Sequence, residues 1–373
     1  MSLPPEVCDL LALTLVPGLG PQRIAALLER FGSASRALRA TAAELCEVPH
    51  LGTRLAQDIA RAVQEVDVPA EMERLERFGV RLLVLGTPDY PPLLAAIPDP
   101  PPLLYVRGAL TAADANAVAL VGSRHCTEYG RRVAARLAAG LVRAGITVVS
   151  GLARGIDGVA HRSALEAGGR TLAVLAGGLS RVYPPEHAGL AREVEASGAL
   201  LTESCMEQEP LASLFPARNR IISGLCRAVV IVEAAERSGA LITASHAADQ
   251  GRTVLAVPGP VDSTASGGTN ELIRKGAVLC RGADDVLEEL HGVSAMAQAA
   301  AAAPAAPPPP AAPPPGLDEA QRQVWEALAG GPLHLDQLVQ RLGLAVPQVS
   351  GALMMLEMKK AARRLPGNRY ERC

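Results

Sequence analysis

The spacing of apolar and polar positions divides the chain into stretches of different rhythm. Across residues 67–291, short apolar runs alternate with amphipathic segments, the runs falling at 80–85, 103–106, 117–121, 146–149, 172–175, 228–232 and 254–257. Each run is rich in β-branched residues and bounded by turn residues, so it reads as a strand buried on both faces. Strands alternating with helices predict an α/β core built on a parallel sheet. The Pro-rich link 88–102 between the first two runs cannot be helical throughout.

Before residue 67 the apolar spacing is helical, and one pattern occurs twice. Val16-Pro-Gly-Leu-Gly-Pro-Gln-Arg-Ile-Ala-Ala-Leu-Leu reads as a helix, a tight turn and a second helix. A degenerate copy follows at Val48-Pro-His-Leu-Gly-Thr-Arg-Leu-Ala-Gln-Asp-Ile-Ala, with His50 in place of the first glycine. Residues 1–66 are therefore expected to form a small paired helix-hairpin-helix domain. Its turns offer backbone N–H groups at a helix N-terminus, which suits gripping a phosphate backbone without reading sequence. The same module also serves as a plain structural or protein-contact unit, and its spacing does not choose between the two.

Beyond residue 291 the rhythm stops. Residues 292–316 are Ala/Pro low complexity, which cannot build a core and favours extended polyproline II, so they read as a semi-rigid linker. Residues 317–373 then carry helical spacing at 317–328, 335–342 and 347–358, followed by a basic ribbon at 359–372 with Gly367-Asn368 at its tip. Helix-turn-helix plus a hairpin is the winged-helix layout. Its third helix presents Gln348 and Ser350 but no arginine, so base reading in a major groove is not expected. The cations Lys359, Lys360, Arg363, Arg364, Arg369 and Arg372 lie in the wing. They suit the phosphates of double-stranded DNA; a protein-binding winged helix is the alternative.

Composition narrows the function classes. A formal net charge of -2 excludes a globally basic coat but not a local basic groove. Aromatics are only 2%, so candidates for stacking on bases are few. The seven cysteines are scattered without a CxxC pair, which argues against a disulfide framework or a zinc cluster. Glu6 and Asp9 replace the basic start of a signal peptide, and no apolar run is long enough to span a bilayer. A soluble, cytoplasmic protein without metal or cofactor is expected.

Polar and glycine residues collect where the predicted strands end: Gly122-Ser123-Arg124, Ser150-Gly151-Leu-Ala-Arg154-Gly155-Ile-Asp157, Ala176-Gly177-Gly178, Arg237-Ser238-Gly239 and Pro258-Gly259. In an open parallel sheet the carboxyl ends of the strands line the ligand crevice. Neither GxGxxG at the first βα turn nor GxxxxGK[ST] occurs, so dinucleotide and P-loop fingerprints are absent. Arg218, Asn219 and Arg220 add fork-shaped donors just ahead of a predicted helix. Asp157 and His161, at i and i+4, suit a metal or acid/base pair. With no third ligand, Asp157 reads better as a helix N-terminal residue with His161 packed beside it. Ser150, His161 and Asp157 lack the GxSxG elbow of a hydrolase triad.

Several of these motifs, in order, resemble the DNA-processing protein A (DprA/Smf) family: Gly122-Ser-Arg124, Ser150-Gly-Leu-Ala-Arg-Gly-Ile-Asp157, Tyr183-Pro-Pro, Phe215-Pro-Ala-Arg-Asn-Arg-Ile-Ile, Arg237-Ser-Gly-Ala-Leu-Ile-Thr243 and Pro258-Gly-Pro. The resemblance implies an extended Rossmann-like core, residues 67–291, flanked by the N-terminal helix-hairpin-helix (SAM-like) domain and the C-terminal winged helix. It further implies a non-catalytic homodimer that binds single-stranded DNA and loads RecA recombinase during natural transformation. Carried over by residue, Arg124 of the first crevice loop would hold a phosphate, and Gly122, Ser123, Gly151, Arg154 and Gly155 would belong to the same DNA-binding site. Arg218, Asn219 and Arg220 contact the backbone or orient their turn, while Ser238 and Gly239 close the opposite wall. Phe215 is either a base-stacking residue or a core residue. Lys359, Lys360, Arg363 and Arg364 would serve duplex DNA, and Ile273 and Leu279 would form the dimer contact or belong to the core. The family's lysine three positions before the phenylalanine is Ala212 here; Arg154 or Arg252 are the candidates to replace it. The alternative is a nucleotide phosphoribohydrolase of the lysine-decarboxylase-like group, on the strength of Gly267-Gly268-Thr269-Asn270-Glu271.

Overall fold

The computed structural model describes residues 3–49, 51–291, 317–331, 333–365 and 368–372. The linker 292–316, His50 and the Gly367 of the wing tip lie outside the described residues. Two compact units result, Met1–Ser294 and Ala295–Cys373.

The first unit is built on a nine-stranded sheet: β1 (Val80–Val84), β2 (Leu103–Gly108), β3 (Ala117–Val121), β4 (Thr147–Ser150), β5 (Thr171–Val174), β6 (Ala199–Thr202), β7 (Ala228–Ile231), β8 (Thr253–Ala256) and β9 (Val278–Leu279). The spatial order is β1-β2-β6-β5-β4-β3-β7-β8-β9. All pairings from β6 to β9 are parallel, whereas β1–β2 and β2–β6 are antiparallel. The expected wholly parallel sheet is thus corrected at one end, and β6 and β9 join the seven expected strands. β6 is four residues long and follows the helix Ala188–Ser197 after a single glycine, and β9 is two residues long. β9 is too short to stand out as an apolar run, and β6, with only Ala199-Leu200-Leu201 apolar and no β-branched residue among them, carries a weaker strand signal than the seven.

Strands β3 to β7 are buried along their whole length, as sheet covered on both faces must be. Their side chains alternate between two cores. Ala119, Val121, Val229 and Ile231 pack with Ile221, Ile222 and Ala244 from the helices Leu214–Gly224 and Ala240–Asp249. Val118, Leu120, Val148 and Val230 pack with Leu137, Leu141 and Ala160 from the helices Glu128–Arg143 and Ile156–Glu166. In the Pro-rich link only Pro92–Ala95 is helical.

The N-terminal repeats fold alike. In the first, helices Pro5–Leu15 and Pro21–Phe31 flank a turn in which Leu19 N–H donates to the Val16 carbonyl at 3.2 Å. In the second, Ala42–Cys46 and Thr53–Ala62 flank a turn in which Leu51 N–H donates to Val48 at 3.1 Å. Their apolar residues continue into the antiparallel end of the sheet: Leu11, Leu27 and Leu45 share one core with Leu75, Val80, Leu103, Tyr105 and Leu190.

The second unit has helices Glu319–Ala327, Leu335–Leu342 and Val346–Met358 and a sheet ordered β10-β12-β11. β11 (Ala362–Leu365) and β12 (Arg369–Arg372) are the expected ribbon; β10 (Leu333–His334) is a third strand. Among the described residues, no helix is long and apolar enough to cross a membrane.

Candidate nucleic-acid interface

From β3 the chain crosses to β4 on one side, and from β7 it crosses to β8 on the other, although β3 and β7 are neighbours. The loops leaving these strands therefore diverge and open a crevice at the strands' carboxyl ends. A cleft of about 420 Å³ lies there, its walls including Ser123, Arg124, Phe215, Asn219, Arg237, Ser238 and Gly239. Of the five loops expected to converge, those at 122–124, 150–157 and 237–239 line this cleft; Ala176 and Gly177 line a small cavity beside it, and Pro258-Gly259 does not border it.

The first wall is tied down by buried Glu233 at the end of β7. Ser123 N–H donates to the Glu233 carbonyl at 2.7 Å, and the Glu233 carboxylate accepts from Thr127 N–H at 2.9 Å and from the Thr127 hydroxyl. That leaves Arg124 and His125 exposed at the mouth. Beneath them sits Gly155, at φ +74°, where a Cβ would lie 2.1 Å from the Ser123 carbonyl oxygen. Gly155 is thus packed under the loop, and Ile156 N–H donates to the same carbonyl at 3.1 Å.

Phe215 lies in the cleft lining. Its ring is half-buried in the lining, with the Arg124 guanidinium 4.5 Å from its centroid. Tyr183 meets that ring edge-on at 6.1 Å and 67°, and the Arg154 guanidinium stands 6.0 Å from the Tyr183 ring. Cation and aromatic face attract through the ring quadrupole, so the group holds a fixed shape at the mouth. Arg154 is exposed and ion-paired with Glu186 at the rim.

The Arg-Asn-Arg triplet is not a turn ahead of a helix but lies inside the helix Leu214–Gly224. Helical spacing turns Phe215 and Asn219, at i and i+4, to the cleft. Asn219 Nδ2 donates to the Gly239 carbonyl at 3.4 Å, joining the two walls. Arg218 is 5% exposed, and its Nη1 donates to the carbonyls of Gly151, at 2.7 Å, and Val174. A side chain at Gly151 would occupy the guanidinium's place, 2.5 Å from Nη1. Arg220, 3% exposed, pairs with Asp99 at 3.1 Å and with Glu203. Arg220 is thereby committed to the interior and is not a phosphate ligand; of the two sequence readings of this triplet, orienting the segment is the one its geometry fits.

Burial lowers the Arg218 pKa to about 10, against the favourable charge of Asp157. Burial likewise raises the Asp157 carboxyl, opposed by Arg218 and by the Ala153 and Gly151 amides. Asp157 Oδ2 accepts those amides at 3.4 and 3.1 Å, the loop-capping role expected of a helix N-terminal residue. His161, fully buried one turn further along the helix, makes its hydrogen bond elsewhere, its Nδ1 facing the Thr171 hydroxyl at 2.7 Å. Ser150 spends its hydroxyl on the Leu120 carbonyl at 2.6 Å. Among the described residues no group of three or more His, Cys, Asp or Glu could hold a metal ion.

Other expected residues lie elsewhere. Arg252 donates to the Leu93 carbonyl at 2.8 Å and borders a separate cavity, so it does not stand in for the lysine absent at exposed Ala212. Glu271 borders that same cavity, where bidentate Arg274, at 2.7 Å, and Lys275 hold its carboxyl at about 2. Leu279 is 42% exposed on edge strand β9, and Ile273 is half-buried on the preceding helix. In the winged unit Lys360, Arg363 and Arg364 are exposed; Arg363 pairs with Glu371, Arg364 donates to Asn368, and Lys359 donates to Gln321. Val346, Met354, Met355 and Met358 give its third helix an apolar outer face. The sequence reading placed Arg237 in a crevice loop without giving it a role and passed over His125, for which position directly after the Gly122-Ser123-Arg124 loop was the available signal.

Comparison with known proteins assigns the chain to a family. The model of DNA recombination-mediator protein A matches residues 81–291, that of the DprA winged helix domain residues 307–368, and that of a SAM-like helix-hairpin-helix tandem residues 10–65. Protein Smf of Synechocystis sp. is 33% identical over 97% of this chain and 98% of its own. The X-ray structure of DNA processing protein A from Streptococcus pneumoniae matches with a TM-score of 0.68 at 33% identity, covering 78% of this chain and 99% of that one. DNA processing protein A from Helicobacter pylori, solved for its single-stranded DNA binding mode, matches with a TM-score of 0.52 at 28% identity, covering 58% and 97%. The chain belongs to the DNA recombination-mediator protein A family.

Two outcomes follow from the buried groups. Arg218→Ala leaves two buried carbonyls without their charged donor, so denaturant melts should register a loss of about 1–3 kcal/mol or more; a loss near zero would contradict the assignment. Burial pushes the His161 pKa down to about 3 from its ordinary 6.5. The unfolded chain therefore takes up the proton first as pH falls, and this part of the stability, full above about 6.5, drains away toward about pH 3. His161→Asn should flatten that part of the pH dependence in the same melts.

Proposed function

We propose that this member of the family binds single-stranded DNA without regard to sequence, in the crevice between β3 and β7. The observation that carries the reading is the pairing of exposed Arg124 with the half-buried ring of Phe215, 4.5 Å apart at the crevice mouth. A cation to meet phosphate beside an aromatic face to meet a base is what sequence-tolerant binding of a single strand requires. Arg237, Ser238 and Gly239 supply the facing wall. The relatives' described role in DNA processing, and single-strand binding by the Helicobacter pylori protein, support the same choice.

In this reading the protein protects the strand and loads RecA recombinase onto it in the cytoplasm during natural transformation, without catalysis of its own. Ser150, Asp157 and His161 are each engaged internally, which supports a binding rather than a chemical role. The phosphoribohydrolase alternative has less support, because Glu271 is held in ion pairs outside the crevice. Leu279 on its edge strand, with Ile273, is the proposed homodimer contact. The wing cations Lys359, Lys360, Arg363 and Arg364 are proposed to meet double-stranded DNA through phosphate alone, since the third helix offers an apolar face.

Oligothymidine titrations test the site. Arg124→Ala should weaken binding and lower the slope of log K against log salt by about 0.7, one phosphate contact on a single strand. Phe215→Ala should cost about 1–3 kcal/mol, one stacked base, without changing that slope. Unaltered affinity in both variants would contradict the assignment.

A further inference from the structure

Resting on the crevice reading above, we propose that a bound strand does not end at Phe215 but runs on across Tyr183 and Arg181 to a second subsite formed by Arg77 and Phe78. Neighbouring cavities linked by shared side chains mark the path. The crevice shares Ala153, Phe215 and Arg218 with a small neighbouring cavity that Tyr183 and Arg181 also line. Arg181 in turn lines a further cavity of about 340 Å³, whose other walls include Arg77 and Phe78. One exposed arginine thus borders both, and links the crevice side to the end of the helix Val68–Arg77.

The chemistry along the path repeats that of the crevice. The chain holds only three phenylalanines and five tyrosines, yet Phe215, Tyr183 and Phe78 fall in succession here. Each has a guanidinium over its ring: Arg124 at 4.5 Å, Arg154 at 6.0 Å and Arg77 at 5.6 Å. Arg77 and Arg181 are exposed, whereas Arg74 beside them is already committed to Glu71 at 3.5 Å and Glu207 at 2.9 Å. Glu73 also borders the far cavity, so the local excess of positive charge is small. The far subsite therefore adds affinity to a strand already held in the crevice rather than capturing one alone. Partly exposed aromatic rings each beside an arginine suit a single strand, whose bases are free to turn, better than a duplex.

The test uses the full chain with oligothymidines of two lengths, one just long enough to saturate the crevice and one several times longer. In Arg77→Ala/Arg181→Ala, the salt slope for the long oligonucleotide should fall by about 1.4, two phosphate contacts on a single strand. Its affinity should drop toward that of the short one, whose binding stays unchanged. Arg77→Lys/Arg181→Lys should restore the slope, since a phosphate needs only a cation there. An unchanged long-oligonucleotide slope, with normal short-oligonucleotide binding, overturns the extended path and leaves the crevice reading standing. Failure of the unaltered protein to bind either length overturns both.

Discussion

Arg218 carries its charge into the interior, and the geometry of the crevice depends on where that charge is satisfied. The guanidinium reaches the carbonyl of Gly151 after β4 and that of Val174 in β5, with the Asp157 carboxylate as its charge partner. Asp157 in turn gathers the amides of Gly151 and Ala153. Arg218 on the Gly151 carbonyl and Asp157 on the Gly151 and Ala153 amides together fix the loop after β4, the floor on which the loop carrying Arg124 rests through Gly155 and Ile156. Desolvating both charges is expensive, and hydrogen bonds on every side are what make such a pair tolerable. The helix bearing Arg218 also bears Phe215, so the same contact that fixes the floor sets the aromatic ring at the mouth.

This arrangement divides labour among arginines that look alike in sequence. Arg218 and Arg220 are spent on the scaffold, the first on carbonyls and Asp157, the second on Asp99 and Glu203. Arg124 and Arg237 remain exposed at the crevice. A chain with a net charge of -2 can thus present a local cationic mouth while most of its charge is balanced nearby. The alanine at position 212 fits the same picture: the cations beside Phe215 are Arg124 and Arg218, both from other positions.

Much of this was legible from residue types alone. Seven strands declared themselves as β-branched runs, and their glycine-rich ends identified the crevice edge, because buried parallel strands and tight loops each demand particular residues. What escaped was governed by contacts between distant segments. β6 and the antiparallel pairing of β2 depend on partners far away in the chain, and no local apolar run announces them. The inward turn of Arg218 and Arg220 follows from the helical phase of Leu214–Gly224, and placing the triplet before the helix hid that phase. Arg252, a candidate by charge, proved to hold the Leu93 carbonyl instead. Tyr183 was legible as part of a motif but not as the neighbour of Phe215, since 32 residues separate two rings whose centroids lie 6.1 Å apart.

Amide hydrogen exchange on the full chain, with and without a saturating oligothymidine, tests most directly that the crevice holds the strand. Binding should slow exchange in residues 122–125 and 235–239 and at the start of the helix Leu214–Gly224, while the hairpin turns at 16–20 and 48–52 keep their free rates. Protection confined to those hairpin turns or to the winged unit, with the crevice loops exchanging as freely as before, would contradict the account.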